Sequence, residues 1–146
     1  GPHGMVGGQM LDLIGENKEF DLGTISRLQR MKTGQLMAFA CEAGAILGKA
    51  DEPHKKALCN YAHDLGLAFQ ITDDLLDVEG SAEQVGKATG KDAAAGKATI
   101  IAKLGVEGAR DRAALLSRQA TAHLDHFGKK ANSLRDLCDF VLNRSN

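Results

Sequence analysis

The chain has 146 residues, 18 basic and 19 acidic side chains for a formal net charge of −1, and 43% hydrophobic residues, which is the composition of a folded globular domain and not of a disordered tail. With charge almost balanced, the long-range positive field that nucleic-acid binders use is missing, so no nucleic-acid partner is expected and any polyanion must be held by a local cluster. No stretch approaches the roughly 18 uninterrupted apolar residues of a membrane span, and Gly1-Pro2-His3-Gly4 has neither the basic region nor the apolar run of a secretion signal, so the expected location is cytoplasmic.

The first periodic pattern is under way by Met5 with no initiator methionine before Gly1, and residues 1–146 read as a single helical domain that is a piece of a longer chain. Met5 to Leu13 carries apolar residues at 5, 6, 10, 11 and 13, with Gly7 and Gly8 thinning one side, as suits a helix lying close against a neighbour. Gly15-Glu16-Asn17-Lys18 breaks that pattern. A second run goes from Thr24 through Ile25, Leu28 and Met31, and resumes as Leu36, Met37, Phe39, Ala40, Ala43, Ile46 and Leu47. In its middle lies Lys32-Thr33-Gly34, and since glycine costs a helix about 1 kcal/mol relative to alanine, a kink or a close approach is expected there.

Asp51-Glu52-Pro53 has the form of a helix start with proline in the first turn, and Ala57, Leu58, Tyr61, Ala62, Leu65, Ala68, Ile71, Thr72, Leu75 and Leu76 continue one long helix. From Glu79 to Lys97 the pattern collapses into glycine, alanine and lysine, which predicts a loop with at most a short helical turn. Two helices follow, Val106 to Phe127 and Leu134 to Leu142. No strand pattern competes, there is no repeat at solenoid spacing, and a core of Leu, Ile, Ala and Met with no Trp and one Tyr suits helix-on-helix packing. The expected fold class is all-α, a bundle or part of one.

Gln70, Asp73, Asp74 and Asp77 fall at i, i+3, i+4 and i+7 of the long helix, which is one face, while Gly66, Leu67, Phe69 and Ile71 around them are apolar or small. Like charges at such spacing destabilise a helix by roughly 0.2–0.5 kcal/mol per pair in water and by more in a cleft, so a cation is expected to offset them. Oxygen-only ligation points to Mg²⁺ or a similar hard ion. Behind the stripe, Gly86-Lys87, Gly90-Lys91 and Gly96-Lys97 place three lysines beside three glycines. A hard divalent ion with mobile lysines is how proteins hold diphosphate, whereas nothing matches the G-x-x-x-x-G-K-[ST] loop of nucleotide triphosphate binders.

Other residues carry less. Cys41, Cys59 and Cys138 are an odd count in apolar helical patterns and read as free thiols without a disulfide or zinc site. Met5, Met10, Met31 and Met37 read as core. His123 and His126, at i and i+3, lack a third ligand nearby and read as a helix surface, and His63 as a neighbour of the acidic face.

In order along the chain, Gly4-Met5-Val6-Gly7-Gly8-Gln9-Met10-Leu11-Asp12-Leu13, Lys32-Thr33-Gly34, Gly66-Leu67-Ala68-Phe69-Gln70-Ile71-Thr72-Asp73-Asp74-Leu75-Leu76-Asp77 and the segment Gly86-Lys87 to Gly96-Lys97 resemble the trans-prenyl diphosphate synthases, in particular the bacterial short-chain farnesyl and geranylgeranyl diphosphate synthases. The resemblance covers essentially the whole chain but only the C-terminal half of a complete synthase. It implies the C-terminal half of an isoprenoid-synthase-type helical bundle, a homodimeric prenyltransferase acting on an allylic diphosphate and isopentenyl diphosphate, and an upstream half that carries the first aspartate-rich motif.

Carried over residue by residue, the resemblance makes Asp73, Asp74 and Asp77 the second aspartate-rich motif, holding Mg²⁺ that bridges to the allylic diphosphate. Lys32 and Lys87 then contact that diphosphate, Thr33 and Gln70 line the cavity near the developing allylic cation, and Gln9 and Asp12 face the same cavity. Arg144 matches a basic C-terminal tail that closes over isopentenyl diphosphate. The residues that limit product length lie upstream, so product length is not readable here. From the residues alone a second reading stays open, a non-catalytic binding or regulatory module derived from such a synthase, docking through apolar surfaces it cannot bury itself.

Overall fold

The computed structural model describes residues 1–15, 18–85 and 99–144. All regular structure among them is helical: α1 (Met5–Gly15), α2 (Leu22–Gln29), a π-helical turn (Arg30–Gly34), α3 (Gln35–Leu47), α4 (Glu52–Val85), α5 (Ile100–Ala122), a 3₁₀ segment (Asp125–Ala131) and α6 (Asn132–Asn143). The fold is therefore all-α. No described helix is long and apolar enough to cross a membrane.

Helix starts follow from short polar side chains that answer otherwise unpaired backbone donors. Asp21 accepts from the Thr24 N–H at 2.6 Å, Asp51 from the His54 N–H at 3.0 Å and Thr99 from the Ala102 N–H at 3.2 Å. Those bonds hold the Asp21 and Asp51 carboxyls below their ordinary range. At the other end of α3, Lys49 takes the left-handed conformation, φ 54°, and the Ala50 N–H turns back to the Ala45 carbonyl at 2.9 Å.

Helix α4 is the axis of the molecule, packing against α2, the π-helical turn, α3, α5 and α6. One core cluster joins Leu67, Ala68, Ile71 and Leu75 of α4 to Ile25 of α2 and to Ile100, Ile101, Ala109, Ala113 and Leu116 of α5. A second, nearer the start of α4, joins Tyr61, Ala62 and Leu65 to Ala38, Ala120, Leu124, Cys138 and Val141. The Tyr61 hydroxyl ties α4 to α6 by donating to the Leu134 carbonyl at 2.9 Å.

Three expectations are corrected. Residues 79–85 are helical and not a loop: α4 runs on to Val85, with Val78 packed on the first core cluster and the Glu79 carboxylate paired with Arg110 of α5 just before Gly80. The helix expected from Val106 to Phe127 is preceded by a turn that buries Ile100 and Ile101, breaks at Gly105 (φ 72°) and ends at Ala122. Met5 and Met10 are exposed, together with Val6, Leu13 and Ile14 of the same helix, because no described element lies over that face of α1; Met31 and Met37 are half-buried.

The kink expected at Lys32-Thr33-Gly34 is the π-helical turn, an extra residue accommodated between α2 and α3. It is held by glycines on both flanking helices. A Cβ on Gly66 of α4 would stand 2.9 Å from Gly34 Cα, and a Cβ on Gly8 of α1 would stand 2.4 Å from the Lys32 backbone nitrogen. Three elements thus approach to backbone contact at the residues where the sequence concentrates its candidate ligands.

Candidate functional site

Helix α4 carries the acid stripe, with Asp73 and Asp74 half-buried and Asp77 exposed, as the seven-residue spacing on one face requires. Each half-buried member of the stripe is met by a side chain from elsewhere. Arg144, at the end of α6, donates from Nη2 to Asp73 Oδ1 at 2.8 Å, and its guanidinium lies 4.2 Å above the Phe69 ring. Gln29, the last residue of α2, donates from Nε2 to Asp74 Oδ2 at 3.2 Å. One turn earlier on α4, Gln70 accepts at Oε1 from Thr33 Oγ1 at 2.8 Å. Lys32, next to Thr33 in the π-helical turn, pairs with Asp12 Oδ2 of α1 at 2.6 Å.

Four separate pairs, Lys32–Asp12, Thr33–Gln70, Gln29–Asp74 and Arg144–Asp73, thus tie α1 to the π-helical turn, and the turn, the end of α2 and the end of α6 to the polar face of α4. Gln9 lies on α1 three residues from Asp12, with an exposed side chain. Lys87, Lys91 and Lys97 lie outside the described residues. Gln29 was not among the residues singled out by sequence; in an apolar-periodicity reading it is one polar position in a short helix, and its partner is 45 residues away. Arg144 was found only through the family resemblance, since the final residues are short and generic.

The donor set suits a hard cation. It is made of carboxylate oxygens only, and the stripe already draws a cationic group, the Arg144 guanidinium, onto Asp73. Among the described residues no three His, Cys, Asp or Glu side chains are grouped closely enough to hold a metal ion by themselves. Cys41, Cys59 and Cys138 are free, and burial pushes all three thiols above their ordinary pKa, so they stay protonated at neutral pH. His123 is engaged by Asp64, with Nε2 3.1 Å from Oδ2. His63 packs near Gly34 with Nδ1 buried and lacking a hydrogen-bond partner among the described residues, and burial, with Arg30 nearby, lowers its pKa.

Comparison with known proteins gives the family of the chain. The polyprenyl synthetase family profile matches residues 3–136. The farnesyl diphosphate synthase of Geobacillus stearothermophilus is 40% identical over 144 residues, which are 99% of this chain and 48% of that protein. Among solved structures, an FPP/GFPP synthase from Zymomonas mobilis matches with a TM-score of 0.82 at 45% identity, over 97% of this chain and 46% of that one. The geranyltransferase of Helicobacter pylori, crystallised in complex with magnesium and isoprenyl diphosphate, matches with a TM-score of 0.75 at 30% identity, over 96% of this chain and 46% of that one. The chain spans about half the length of the curated relatives it matches. With nearly its whole length inside the family profile and its helices superposing on those of solved synthases, the chain belongs to the polyprenyl synthetase family.

Proposed function

We propose that this chain is the leaving-group half of a prenyltransferase that condenses an allylic diphosphate with isopentenyl diphosphate to give a short-chain prenyl diphosphate, farnesyl or geranylgeranyl. The observation that supports this reading is that the matched polar residues are paired across elements far apart in sequence, Thr33 with Gln70, Gln29 with Asp74 and Arg144 with Asp73, while Lys32 beside Thr33 pairs with Asp12. The protein is proposed to act as a homodimer and to include an upstream half supplying the remaining metal ligands. The exposed apolar residues Met5, Val6, Met10, Leu13 and Ile14 of α1, and Leu36, Phe39, Ile46 and Leu47 of α3, support further protein packed on these faces.

Ionising an allylic C–O bond leaves a diphosphate anion and a carbocation, so charge must be stabilised on the leaving group in a site from which water is excluded. Mg²⁺ held by Asp73, Asp74 and Asp77 would supply Lewis-acid stabilisation of the diphosphate, a choice supported by the magnesium complex of the Helicobacter pylori relative. Lys32 serves as a point charge for the same anion. Its ammonium is aimed by the bond to Asp12, which occupies one donor and leaves the others for phosphate oxygens. Lys87 is proposed as its counterpart.

The Thr33–Gln70 bond fixes two oxygen dipoles on and beside the π-helical turn that carries Lys32, and these are proposed to face the electron-poor carbon. Arg144, lying between Asp73 and Phe69, is proposed to serve the second diphosphate, and Gln9 and Asp12 to line the same cavity from α1. The released diphosphate is the proposed acceptor of the final proton. A docking module would need none of these contacts. The test is an assay of the full protein containing this chain, with both diphosphates and Mg²⁺: farnesyl or geranylgeranyl diphosphate is the expected product, and its absence would overturn the proposal.

A further inference from the structure

Gln29 ends α2 immediately before the π-helical turn and is 4% exposed. Its Nε2 donates to Asp74 Oδ2 at 3.2 Å, while its Oε1 is buried with no hydrogen-bond partner among the described residues. The amide cannot be turned round, because reversal would set Oε1 against a carboxylate oxygen, acceptor against acceptor. Burying an amide with one end unanswered costs stability, and leucine or methionine would occupy a similar volume without that cost. The polar contact that the side chain does make goes to the acid stripe.

We propose that Gln29 is a positioning residue for the divalent cation: by holding the Asp74 carboxylate in one orientation on α4, it removes ordering that the ion would otherwise have to impose. This inference rests on the reading of Asp73, Asp74 and Asp77 as metal ligands. Hydrogen bonds to a ligating carboxylate fix its direction, and their removal typically weakens metal binding about 10–100-fold. The bond here is at the long end of the normal range, so the lower part of that interval is expected. The π-helical turn strengthens the case geometrically, since it fixes the end of α2 against α4 through the Gly34–Gly66 contact and so fixes where the amide can reach.

The test uses the full protein containing this chain and measures Mn²⁺ binding by electron paramagnetic resonance, alongside the Mg²⁺ concentration that gives half-maximal turnover. Gln29→Leu should weaken Mn²⁺ binding about tenfold while the melting temperature stays at or above wild type, which a merely structural role would not allow. Gln29→His, which keeps a ring N–H at similar reach, should restore most of the affinity. In an Asp74→Ala background, Gln29→Leu should add nothing. Should Gln29→Leu fail to fold, Gln29→Met makes the same comparison. Unchanged Mn²⁺ binding in Gln29→Leu, or equal weakening with and without the Asp74 carboxylate, would overturn the proposal and leave the metal reading standing. If Asp74→Ala alone leaves Mn²⁺ binding unchanged, the metal reading of Asp74 fails and this proposal goes with it.

Discussion

Replacing Gly8 by alanine drives a methyl group into the backbone of the π-helical turn. The new Cβ would lie 2.4 Å from the Lys32 nitrogen and 2.8 Å from both the Lys32 Cα and the Met31 carbonyl carbon, about 1 Å inside ordinary contact at its nearest point. All three neighbours are backbone, so no rotamer change relieves the clash and α1 must move away from the turn. Overpacking of this kind costs about 1–3 kcal/mol, and the upper end applies where only backbone can yield. Alanine returns about 1 kcal/mol of helix propensity, leaving a net loss of about 2 kcal/mol. For a chain of this size that lowers the melting temperature by about 4–8 °C. Asp12 lies one turn further along α1 and is carried away with it, so its 2.6 Å pair with Lys32 lengthens and turnover of the full protein containing this chain falls as well. Gly44→Ala is the control, because a Cβ there meets nothing within 4 Å and α3 should gain stability. Thermal unfolding of wild type, Gly8→Ala and Gly44→Ala by far-ultraviolet circular dichroism makes the comparison. If Gly8→Ala melts at or above Gly44→Ala, the close approach of α1 to the π-helical turn is refuted.

Three further outcomes are expected. In the full protein, Asp73→Ala should lower kcat by about 10²–10³, equivalent to about 3–4 kcal/mol of lost leaving-group stabilisation, with a much smaller change in the KM for isopentenyl diphosphate; steady-state kinetics with each substrate varied in turn would show the split. Tyr61→Phe removes the hydroxyl that burial keeps protonated and that bonds the Leu134 carbonyl, so denaturant unfolding should report a loss of about 1 kcal/mol with turnover little changed. His63 has its pKa lowered by burial and by Arg30, so the unfolded chain binds more protons than the fold, and the stability it secures above its ordinary pKa of 6.5 is lost as pH falls below that value. Melting temperatures measured from neutral to mildly acidic pH should therefore fall less steeply in His63→Gln than in wild type.

Much of the helical framework was legible because helix periodicity is a local signal. The apolar spacing from Ala57 to Leu76 marked α4, and the acid stripe on it was visible from the same spacing. The break at Lys32-Thr33-Gly34 could be located but not typed, since a π-helical turn is chosen by what packs against it, here Gly8 and Gly66 from two other helices. The continuation of α4 through Gly80 was not readable because the contacts beside it, Val78 on the first core cluster and Glu79 with Arg110 of α5, join residues that no local pattern relates. Gly105 hid the short turn of α5 before it, where Ile100 and Ile101 are buried against α4. The exposure of Met5 and Met10 was unreadable for the opposite reason: the sequence shows that a residue is apolar, not whether another element covers it. In the site, Asp12, Lys32, Thr33, Gln70 and the aspartates were found by motif, but the bond from Gln29 to Asp74 joins residues whose only relation is three-dimensional.

The most direct test of the leaving-group role assigned to this chain is the rate of prenyl diphosphate formation by the full protein containing it, wild type against Lys32→Ala, from labelled isopentenyl diphosphate and an allylic diphosphate with Mg²⁺, with the isolated chain of 146 residues assayed beside them. Product is expected from the wild-type full protein, about 10²-fold less per unit time from Lys32→Ala, and none from the isolated chain. A Lys32→Ala protein that turns over at the wild-type rate, or robust product from the isolated chain, would contradict the assignment.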